Sequence, residues 1–323
     1  MSIEVLDPGL LTSVQDPFGR PGWRRFGVPV SGAPDPFSAR LANRLVSNPD
    51  DAALLEVTLL GPDLRFTAAA IVAVAGADLG ASLDGRPVAP GLATSARAGS
   101  VLRFGERRAG TRAYLAVAGG IDAERVLGSR STDLRSGFGG IDGRALRSGD
   151  VLQVGASRDP SPLRARALPA SEGPIRILGG PHPQRFAPDA LDQLCAAAWT
   201  VSPAADRAGI RLDGEPIRHA TPEASEVASM GLPAGAIQVP RDGRPIVMLA
   251  DRPVTGGYAV LACVARADLG RIAQLAPGDA VRFAIIETDA AVAALRAREA
   301  ELDAVEPIAE ARDADAGWAG SLE

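Results

Sequence analysis

The chain has 323 residues with a net charge of −5, and 46% of its residues are apolar, which is typical of a globular protein of about two domains. The negative charge argues against nucleic-acid binding, which normally needs a basic surface. Only two histidines and two cysteines are present, which argues against a zinc ribbon, a His-rich metal site and a disulfide scaffold.

All 34 basic residues are arginine, and the absence of lysine removes several chemistries. A Walker-type phosphate-binding loop and a Schiff base both need a lysine. Biotin and lipoate are also carried on lysine, so any biotin that this protein uses must be carried by another chain.

No targeting or membrane-spanning segment is predicted. The first 16 residues contain Glu4, Asp7 and Asp16, and they lack a positively charged start followed by an apolar stretch. The longest apolar run, residues 68–77, has ten residues, which is too short to cross a bilayer. Cys195 and Cys263 lie far apart and are expected to be buried thiols, so we expect a cytoplasmic protein.

Short segments rich in Val, Ile and Leu, separated by Gly and Pro turns, predict a mainly β fold. Few of them alternate strictly between apolar and polar residues, so both faces of the sheets are expected to be covered. The predicted strands are residues 3–6, 54–59, 71–75, 113–117, 175–178, 246–250, 260–264 and 281–286.

Two segments are predicted to be helical. Asp35 can cap a helix with Pro36 at its first position, followed by an apolar stripe that includes Phe37, Leu41 and Leu45. Residues 289–305 have the i, i+4 charge pairing of an exposed helix, and residues 188–198 have a weaker helical pattern. The acidic residues 306–323 show no pattern and are expected to form a frayed tail.

A Gly turn that leads into an alternating strand occurs three times, at residues 98–104, 148–154 and 277–283. Common turn chemistry accounts for such a pattern. Alternatively, two similar β domains end their barrels in the same way. The Arg/Pro/Ser-rich residues 157–173 are predicted to link the two domains.

A loop at residues 19–35 leads to the helix that Asp35 caps. It places Ser31 close to the N-terminus of that helix, and a helix N-terminus favours anions. Ser31 therefore either faces a ligand or belongs to an ordered loop around the cap.

The glycine-rich residues 128–143 combine arginines with three hydroxyl side chains, Ser129, Ser131 and Thr132. They lack the GxGxxG spacing and the strand–loop–helix context of a dinucleotide site. The segment suits either anion binding or a surface for a partner.

Residues 201–212 contain Ser202, Asp206, Arg207 and Arg211 with few apolar anchors. Arginines in such a segment can bind a carboxylate or phosphate through two parallel hydrogen bonds. The alternative is a solvated loop with an internal Asp–Arg pair.

Residues 235–258 are the densest in candidate groups. An Asp242–Gly243 turn between two apolar runs predicts a β-hairpin. The hairpin ends at Asp251 and Arg252, which are either a general base with an anion clamp or a structural salt bridge. The glycines that follow allow a ligand to approach the backbone closely.

The two histidines are not predicted to be catalytic. The sequence has no G-x-S-x-G nucleophile elbow. We expect His182 and His219 to lie at the surface or to be hydrogen-bonded.

Several of these segments occur in the order of a known family. They include VLDPGLLTSVQD, GVPVSGAPDP, LLEVTLLGP, GAIQVP and TGGY, and the match runs from Ile3 to Ile286. The chain resembles the biotin-dependent carboxyltransferase-like family, which is also named after allophanate hydrolase subunit 2, the Kip antagonist and the C subunit of 5-oxoprolinase.

This resemblance implies a mainly β fold of two cyclophilin-like β-barrel domains with few helices. The domains would occupy residues 1–160 and 174–287. A C-terminal helix and a flexible acidic tail would follow at residues 288–323.

The resemblance also implies the C subunit of an ATP-dependent complex that hydrolyses 5-oxoproline to glutamate, with ATP at or with a partner subunit. The partners would be a subunit 1 or B-type chain and an A-type subunit. In this hypothesis Asp251 is the base or orienting group, and Arg207 and Arg252 hold a carboxylate or a phosphorylated intermediate. The predicted substrate-binding residues are Ser31, Ser202, Arg211, Gln238, Thr255, Gly256, Gly257 and Tyr258.

Two alternatives stay open. The first is a carboxyltransferase subunit that moves a carboxyl group from carboxybiotin, held on a separate carrier chain, to urea or a related amide. The second is a non-enzymatic partner of the Kip-antagonist type, which binds an inhibitor of a kinase.

Overall fold

The computed structural model describes residues 1–157, 163–165 and 172–307, which form a mainly β fold as the sequence predicts. We call residues 1–157 the N-terminal part and residues 172–287 the C-terminal part. The N-terminal part contains β1 (Ser2–Asp7), β2 (Leu11–Gln15), α1 (Pro36–Leu45), β3 (Leu54–Thr58), β4 (Asp63–Phe66), β5 (Ala70–Asp78), β6 (Ser82–Leu83), β7 (Arg86–Pro87), β8 (Ala93–Ala96), β9 (Val101–Arg103), β10 (Ala109–Val117) and β11 (Val151–Gln153). The later elements are β12 (Leu163–Ala165), β13 (Ile175–Gly179), α2 (Ala190–Ala196), β14 (Trp199–Val201), β15 (Gly209–Asp213), β16 (Glu226–Gly231), β17 (Ala236–Gln238), β18 (Ile246–Met248), β19 (Thr255–Tyr258), β20 (Val260–Val264), α3 (Leu269–Ala273), β21 (Ala280–Val281), β22 (Phe283–Ile285), α4 (Thr288–Leu302) and β23 (Val305–Pro307).

The N-terminal part is built from two sheets that pack face to face. The strand order is β11-β1-β4-β9-β6-β7 in one sheet and β2-β3-β10-β5-β8 in the other. Their facing side chains, among them Ile3, Phe66, Leu55, Val74 and Leu115, form one buried core. Each such side chain contributes about 1.5–3 kcal/mol when it is fully buried, so this core holds the two sheets together.

The five-stranded sheet is covered on both faces, as the non-alternating strands predict. Its outer face presents Leu54, Ala73 and Tyr114, which pack against α1 through Leu41 and Leu45. This second layer explains why β3 has buried residues at consecutive positions rather than at every other one.

Helix α1 begins as predicted. The Asp35 carboxylate accepts hydrogen bonds from the backbone N–H of Ser38 at 3.1 Å and from its hydroxyl at 2.6 Å, and Pro36 occupies the first turn. Helix α4 returns to this region, because Leu302 is buried in the same core layer. The helix predicted at residues 289–305 ends earlier than expected, at Leu302.

The C-terminal part is a single sheet that is nearly closed into a barrel. Its strand order is β21-β14-β15-β18-β17-β20-β13-β22, and only Arg282 separates the two edge strands in the chain. The two ends of the sheet therefore meet, and the strand predicted at residues 281–286 is divided at Arg282. Strands β17 and β18 form the hairpin that Asp242–Gly243 predicts.

The predicted linker and the start of the predicted tail each contribute a strand. Strand β12 pairs antiparallel with β23, so residues 163–165 and 305–307 form a small sheet. The prediction of a frayed tail from residue 306 is wrong at residues 306 and 307, because backbone hydrogen bonds hold them in β23. The linker between the two domains stays a prediction. Residues 158–162, 166–171 and 308–323 lie outside the described residues. Helix α2 is shorter than the predicted residues 188–198.

The three predicted Gly turns share one backbone design. Gly99, Gly149 and Gly278 have φ values of +85°, +88° and +89°. In each turn the glycine N–H donates to a carbonyl of a neighbouring strand, and the next N–H donates to the carbonyl three residues earlier. Each turn leads into a short strand, β9, β11 or β21, so the repeated sequence pattern has one structural cause.

We expect Gly278→Ala to lower the free energy of unfolding by about 1–2 kcal/mol, because L residues disfavour the left-handed region. Among the described residues, no heavy atom lies within 4 Å of the new Cβ, so backbone strain is the only cost. Urea unfolding measures the change. Gly22→Ala is the control, since Gly22 also has open space but no positive φ. A loss of the same size at both positions would contradict the explanation.

Candidate functional site

A cavity of about 390 Å³ lies between the N-terminal and C-terminal parts. The loop of residues 17–36 forms one side, and segments around residues 234, 250 and 264 form the other. Its walls are mostly apolar, and its polar lining residues are Ser31, Arg252, Cys263 and Arg266. Apolar walls with a few convergent polar groups are typical of a site for a small molecule.

Ser31 presents a hydroxyl that has no partner. Its side chain is 3% exposed, and its Oγ makes no hydrogen bond within the described ranges. The residue has a φ of +55°, which costs about 1–2 kcal/mol for a residue other than glycine. A Cβ on Gly19 would lie 2.1 Å from the carbonyl oxygen of Val30, so only glycine permits this crossing of the loop. Strain of this kind is common at functional sites.

Arg252 is the buried cation of the cavity, whereas Arg266, the other arginine in the lining, is exposed. Its Nε donates to the Leu232 carbonyl at 2.8 Å, and its Nη1 donates to the Leu249 carbonyl at 2.9 Å. Its Nη2 makes no hydrogen bond with any described residue. Burial, and then the charge of Arg24, lower the pKa of Arg252 to about 10, so the side chain is still charged at neutral pH. A fixed guanidinium with one free nitrogen suits a carboxylate ligand.

Asp251 does not line the cavity itself, although its sequence neighbours Ala250 and Arg252 do, and it is held by Arg207. Its carboxylate accepts from Arg207 Nε at 2.8 Å and from Nη2 at 3.1 Å. Arg207 also donates to the Gly32 carbonyl at 2.8 Å and to Glu56. Burial opposes the charge of Arg207, but Glu56 and Asp251 outweigh it and raise the pKa of Arg207.

These contacts change the role expected of Arg207. All three guanidinium nitrogens are bonded to the protein, and the residue is only 6% exposed. It is therefore not free to hold a substrate carboxylate, contrary to the hypothesis drawn from the sequence. It lies behind Asp251 and supports it.

Glu56 is the residue of this cluster that the sequence analysis missed. It is 1% exposed in β3 and bonds Arg207, which belongs to the other part of the chain. The available signal was an acidic residue inside the mostly apolar run LLEVTLL. Acidic side chains are almost never fully buried unless they are paired. A glutamate in a buried strand therefore indicates a buried cation next to it.

Gln238 and the TGGY segment lie beside the cavity without lining it. Gln238 is buried, and its Nε2 donates to the Tyr258 carbonyl at 3.1 Å. A Cβ on Gly256 would lie 2.5 Å from Leu232 Cδ1, so this glycine allows close packing within the protein. Thr255 and Tyr258 are exposed, and Gly257 is half-buried. A contact with substrate stays a prediction for these residues.

Ser202 and Arg211 are not brought to the cavity. The Ser202 N–H donates to the Arg211 carbonyl at 2.9 Å, and its hydroxyl accepts from Ala204 N–H at 3.4 Å. Arg211 lies on β15 between the core residues Ile210 and Leu212, so its exposed side chain points away from the barrel interior.

The hydroxyls of residues 128–143 serve the protein interior. Ser129, Ser131 and Thr132 are buried. The Asp16 carboxylate accepts from the Ser129 hydroxyl at 2.6 Å and from Arg130 N–H at 2.8 Å. This segment therefore binds the Asp16 carboxylate of the same chain rather than an external anion. Asp16 also accepts from the N–H groups of Phe18 and Gly19, so it fixes the start of the cavity loop.

Both histidines are hydrogen-bonded, as predicted. His182 Nδ1 accepts from Val260 N–H at 3.1 Å, and burial together with Arg185 lowers the pKa of His182. His219 Nε2 lies 3.0 Å from the Val239 carbonyl, and its ring stacks on Phe186 at 5.1 Å.

In the described part of the chain, no group of three or more His, Cys, Asp or Glu side chains could hold a metal ion. No helix within the same ranges has the length and apolar character needed to cross a membrane.

Comparison with known proteins relates the chain to two groups. Residues 26–285 match the family described as "Carboxyltransferase domain, subdomain A and B". The chain is 38% identical over 283 residues to the C subunit of 5-oxoprolinase from Escherichia coli K12, covering 87% of this chain and 90% of that protein. It is 34% identical to the C subunit of 5-oxoprolinase from Haemophilus influenzae, covering 96% of this chain and all of that protein.

The second group contains larger proteins. The crystal structure of the Kluyveromyces lactis urea carboxylase superposes with a TM-score of 0.89 and 33% identity. The superposition covers 94% of this chain but only 29% of that chain. The chain is thus similar to whole subunits in the first group and to one section of a protein in the second.

Proposed function

Since the chain belongs to the family of carboxyltransferase domains with subdomains A and B, we propose that it is the C subunit of an ATP-dependent 5-oxoprolinase-type complex. The complex would hydrolyse 5-oxoproline to glutamate together with a B-type and an A-type subunit. Relatives named as the C subunit of 5-oxoprolinase, which match this chain over nearly their whole length, support the proposal.

The observation that carries the proposal is the cavity between the two parts. 5-Oxoproline is a small lactam ring with one carboxylate. The free Nη2 of Arg252 suits the carboxylate, and the unpartnered Ser31 hydroxyl suits the lactam amide. The apolar walls suit the ring carbons. Arg266 and Cys263 complete the polar lining.

Hydrolysis breaks the ring C–N bond, adds the oxygen of water to the carbonyl carbon and releases the nitrogen as an amine. In the proposed mechanism Asp251 orients the attacking water or accepts its proton, and Arg207 holds Asp251 in place. ATP would supply the driving force through its hydrolysis to ADP and phosphate, which consumes a second water. We place ATP at or with a partner subunit, as the family resemblance implies. This chain has no lysine and so cannot form a Walker-type loop of its own.

We expect Ser31→Ala to raise the KM for 5-oxoproline by roughly threefold to tenfold, the cost of one hydrogen bond. The folded chain should be no less stable, because the substitution removes a buried hydroxyl that has no partner. Steady-state kinetics and thermal unfolding measure the two effects. Ser202→Ala is the control outside the cavity and should leave KM unchanged. A lower unfolding temperature for Ser31→Ala, or equal KM values for both variants, would contradict this role.

A carboxyltransferase subunit is the second candidate. The superposition on urea carboxylase, which covers almost all of this chain, favours it. In that case urea or a related amide would occupy the cavity, and biotin would be carried by another chain because this one has no lysine. A regulatory partner without activity is the third candidate.

The proposal is tested by measuring glutamate release from 5-oxoproline in the presence of ATP. This chain is co-expressed with the B-type and A-type subunits encoded beside it, and each subunit is omitted in turn. We expect release that stops when this chain is omitted. A parallel assay supplies urea, bicarbonate, ATP and a biotinylated carrier protein. Activity only in the second assay would favour carboxyl transfer. A stable complex without turnover in either assay would favour regulation.

A further inference from the structure

Glu56 lies where a strand of the N-terminal part faces the cavity cluster. Its neighbours Leu55 and Val57 point into the core between the two sheets. Side chains alternate along a strand, so Glu56 points to the opposite face. There it pairs with Tyr114 of β10 in the strand register and reaches Arg207 of the C-terminal part.

The Glu56 carboxylate has cations on one side only. Its Oε1 accepts from Arg207 Nη1 and lies 3.9 Å from Arg112 Nε. Its Oε2 is buried and has no hydrogen-bond partner in the described ranges. An ionised carboxylate at 1% exposure loses its hydration, so the position requires Arg207 to be present and correctly oriented.

Arg207 connects three segments through one guanidinium group. It bonds Glu56 of β3, the Gly32 carbonyl beside Ser31, and both carboxylate oxygens of Asp251. A backbone hydrogen bond also joins the Asp251 segment to Arg207, because Asp251 N–H donates to the Arg207 carbonyl at 3.0 Å. The orientation of Arg207 therefore sets the positions of Ser31 and Asp251 relative to each other.

We infer that Glu56 is a positioning residue for the cavity site and that it acts through Arg207. By fixing the guanidinium from the N-terminal part, it aligns the Ser31 segment with Asp251 of the C-terminal part. The site is thus complete only when the two parts are docked. The inference rests on the proposed function for its kinetic readout and on the ion-pair geometry for its structural readout.

An ion pair that does not line the cavity provides a contrast. Arg40 and Glu299 are 2.8 Å apart and join α1 to α4, but they do not touch Arg207 or Asp251. The Glu299 side chain is half-exposed, and ion pairs open to solvent contribute little to stability. Glu299→Gln is therefore a matched control for the loss of one carboxylate.

Glu56→Gln tests the inference in the reconstituted complex. We expect kcat for 5-oxoproline to fall by roughly 10- to 100-fold, since small misplacements of catalytic groups cost this much. KM should rise by no more than about tenfold, the effect expected for loss of the Ser31 contact, because Arg252 still holds the carboxylate. Glu56→Asp keeps the charge and should retain more activity than Glu56→Gln. Glu299→Gln should match the unchanged protein.

Amide hydrogen exchange gives a readout that does not need activity. We expect Glu56→Gln to speed exchange at residues 206–210 and 249–252, while the strands of both cores keep their protection. If the complex without substitutions shows no activity on 5-oxoproline, and Glu56→Gln still speeds exchange at these residues, the proposed function is overturned and the inference stands. Unchanged kcat with unchanged local exchange would overturn the inference. The inference would also be overturned if Glu56→Gln lowered the protection of amides throughout both cores but kcat stayed normal at temperatures where the variant is folded. Glu56 would then have only a structural role.

Discussion

Replacing Arg252 with glutamine should lower kcat/KM for 5-oxoproline by about 10- to 150-fold. A hydrogen bond to a charged group is worth about 1.5–3 kcal/mol, and each 1.4 kcal/mol corresponds to a factor of about ten. The loss should fall mainly on KM, because Arg252 binds the part of the substrate that does not react. Steady-state kinetics of the reconstituted complex measure both constants.

Two further variants make this result specific. Arg252→Lys keeps a positive charge but loses the planar group that contacts Leu232 and Leu249, so it should recover only part of the affinity. Arg211→Gln removes an exposed arginine away from the cavity and should change neither constant. If Arg211→Gln were as damaging as Arg252→Gln, the carboxylate would bind elsewhere. Thermal unfolding shows that each variant is folded at the assay temperature.

The largest effect on stability is expected for Arg207→Met. The substitution removes every hydrogen bond of Arg207 from the buried Glu56 and the part-buried Asp251, and only Arg112, 3.9 Å from Glu56, remains as a nearby cation. Breaking an ion-pair cluster of this kind costs about 3–5 kcal/mol. Urea unfolding at neutral pH measures the loss.

The matched control for Arg207→Met is Arg211→Met, which replaces an exposed arginine four positions along the chain. Its free energy of unfolding should change by less than about 0.5 kcal/mol. Equal losses for the two variants would contradict the ion-pair cluster.

The sequence predicts most elements of the fold because their signals are local. The Asp35 cap, the Asp242–Gly243 hairpin and the repeated Gly turns depend on residues close together in the chain. The break at Arg282 was not predictable, because it arises where the ends of one sheet meet. The pairing of β12 with β23 joins residues about 140 positions apart and has no local signal either.

The site was predicted only in part, for the same reason. Ser31 and Arg252 share a cavity because the two parts of the chain dock, and no spacing rule relates residues so far apart. Arg211 was predicted to bind substrate, but its side chain lies on the outer face of a strand. The sequence could have indicated this, because the apolar residues Ile210 and Leu212 on either side point into the core. Glu56 carried a signal that was overlooked, a charge inside an apolar strand.

The most direct test is a crystal structure of the reconstituted complex with 5-oxoproline bound. We predict the ligand in the cavity between the two parts, with its carboxylate within hydrogen-bond distance of Arg252 Nη2 and its lactam amide beside Ser31 Oγ. A ligand in another cavity, such as the one of about 630 Å³ lined by Asp35 and Arg282, would contradict the assignment. So would an empty cavity at a saturating concentration of 5-oxoproline.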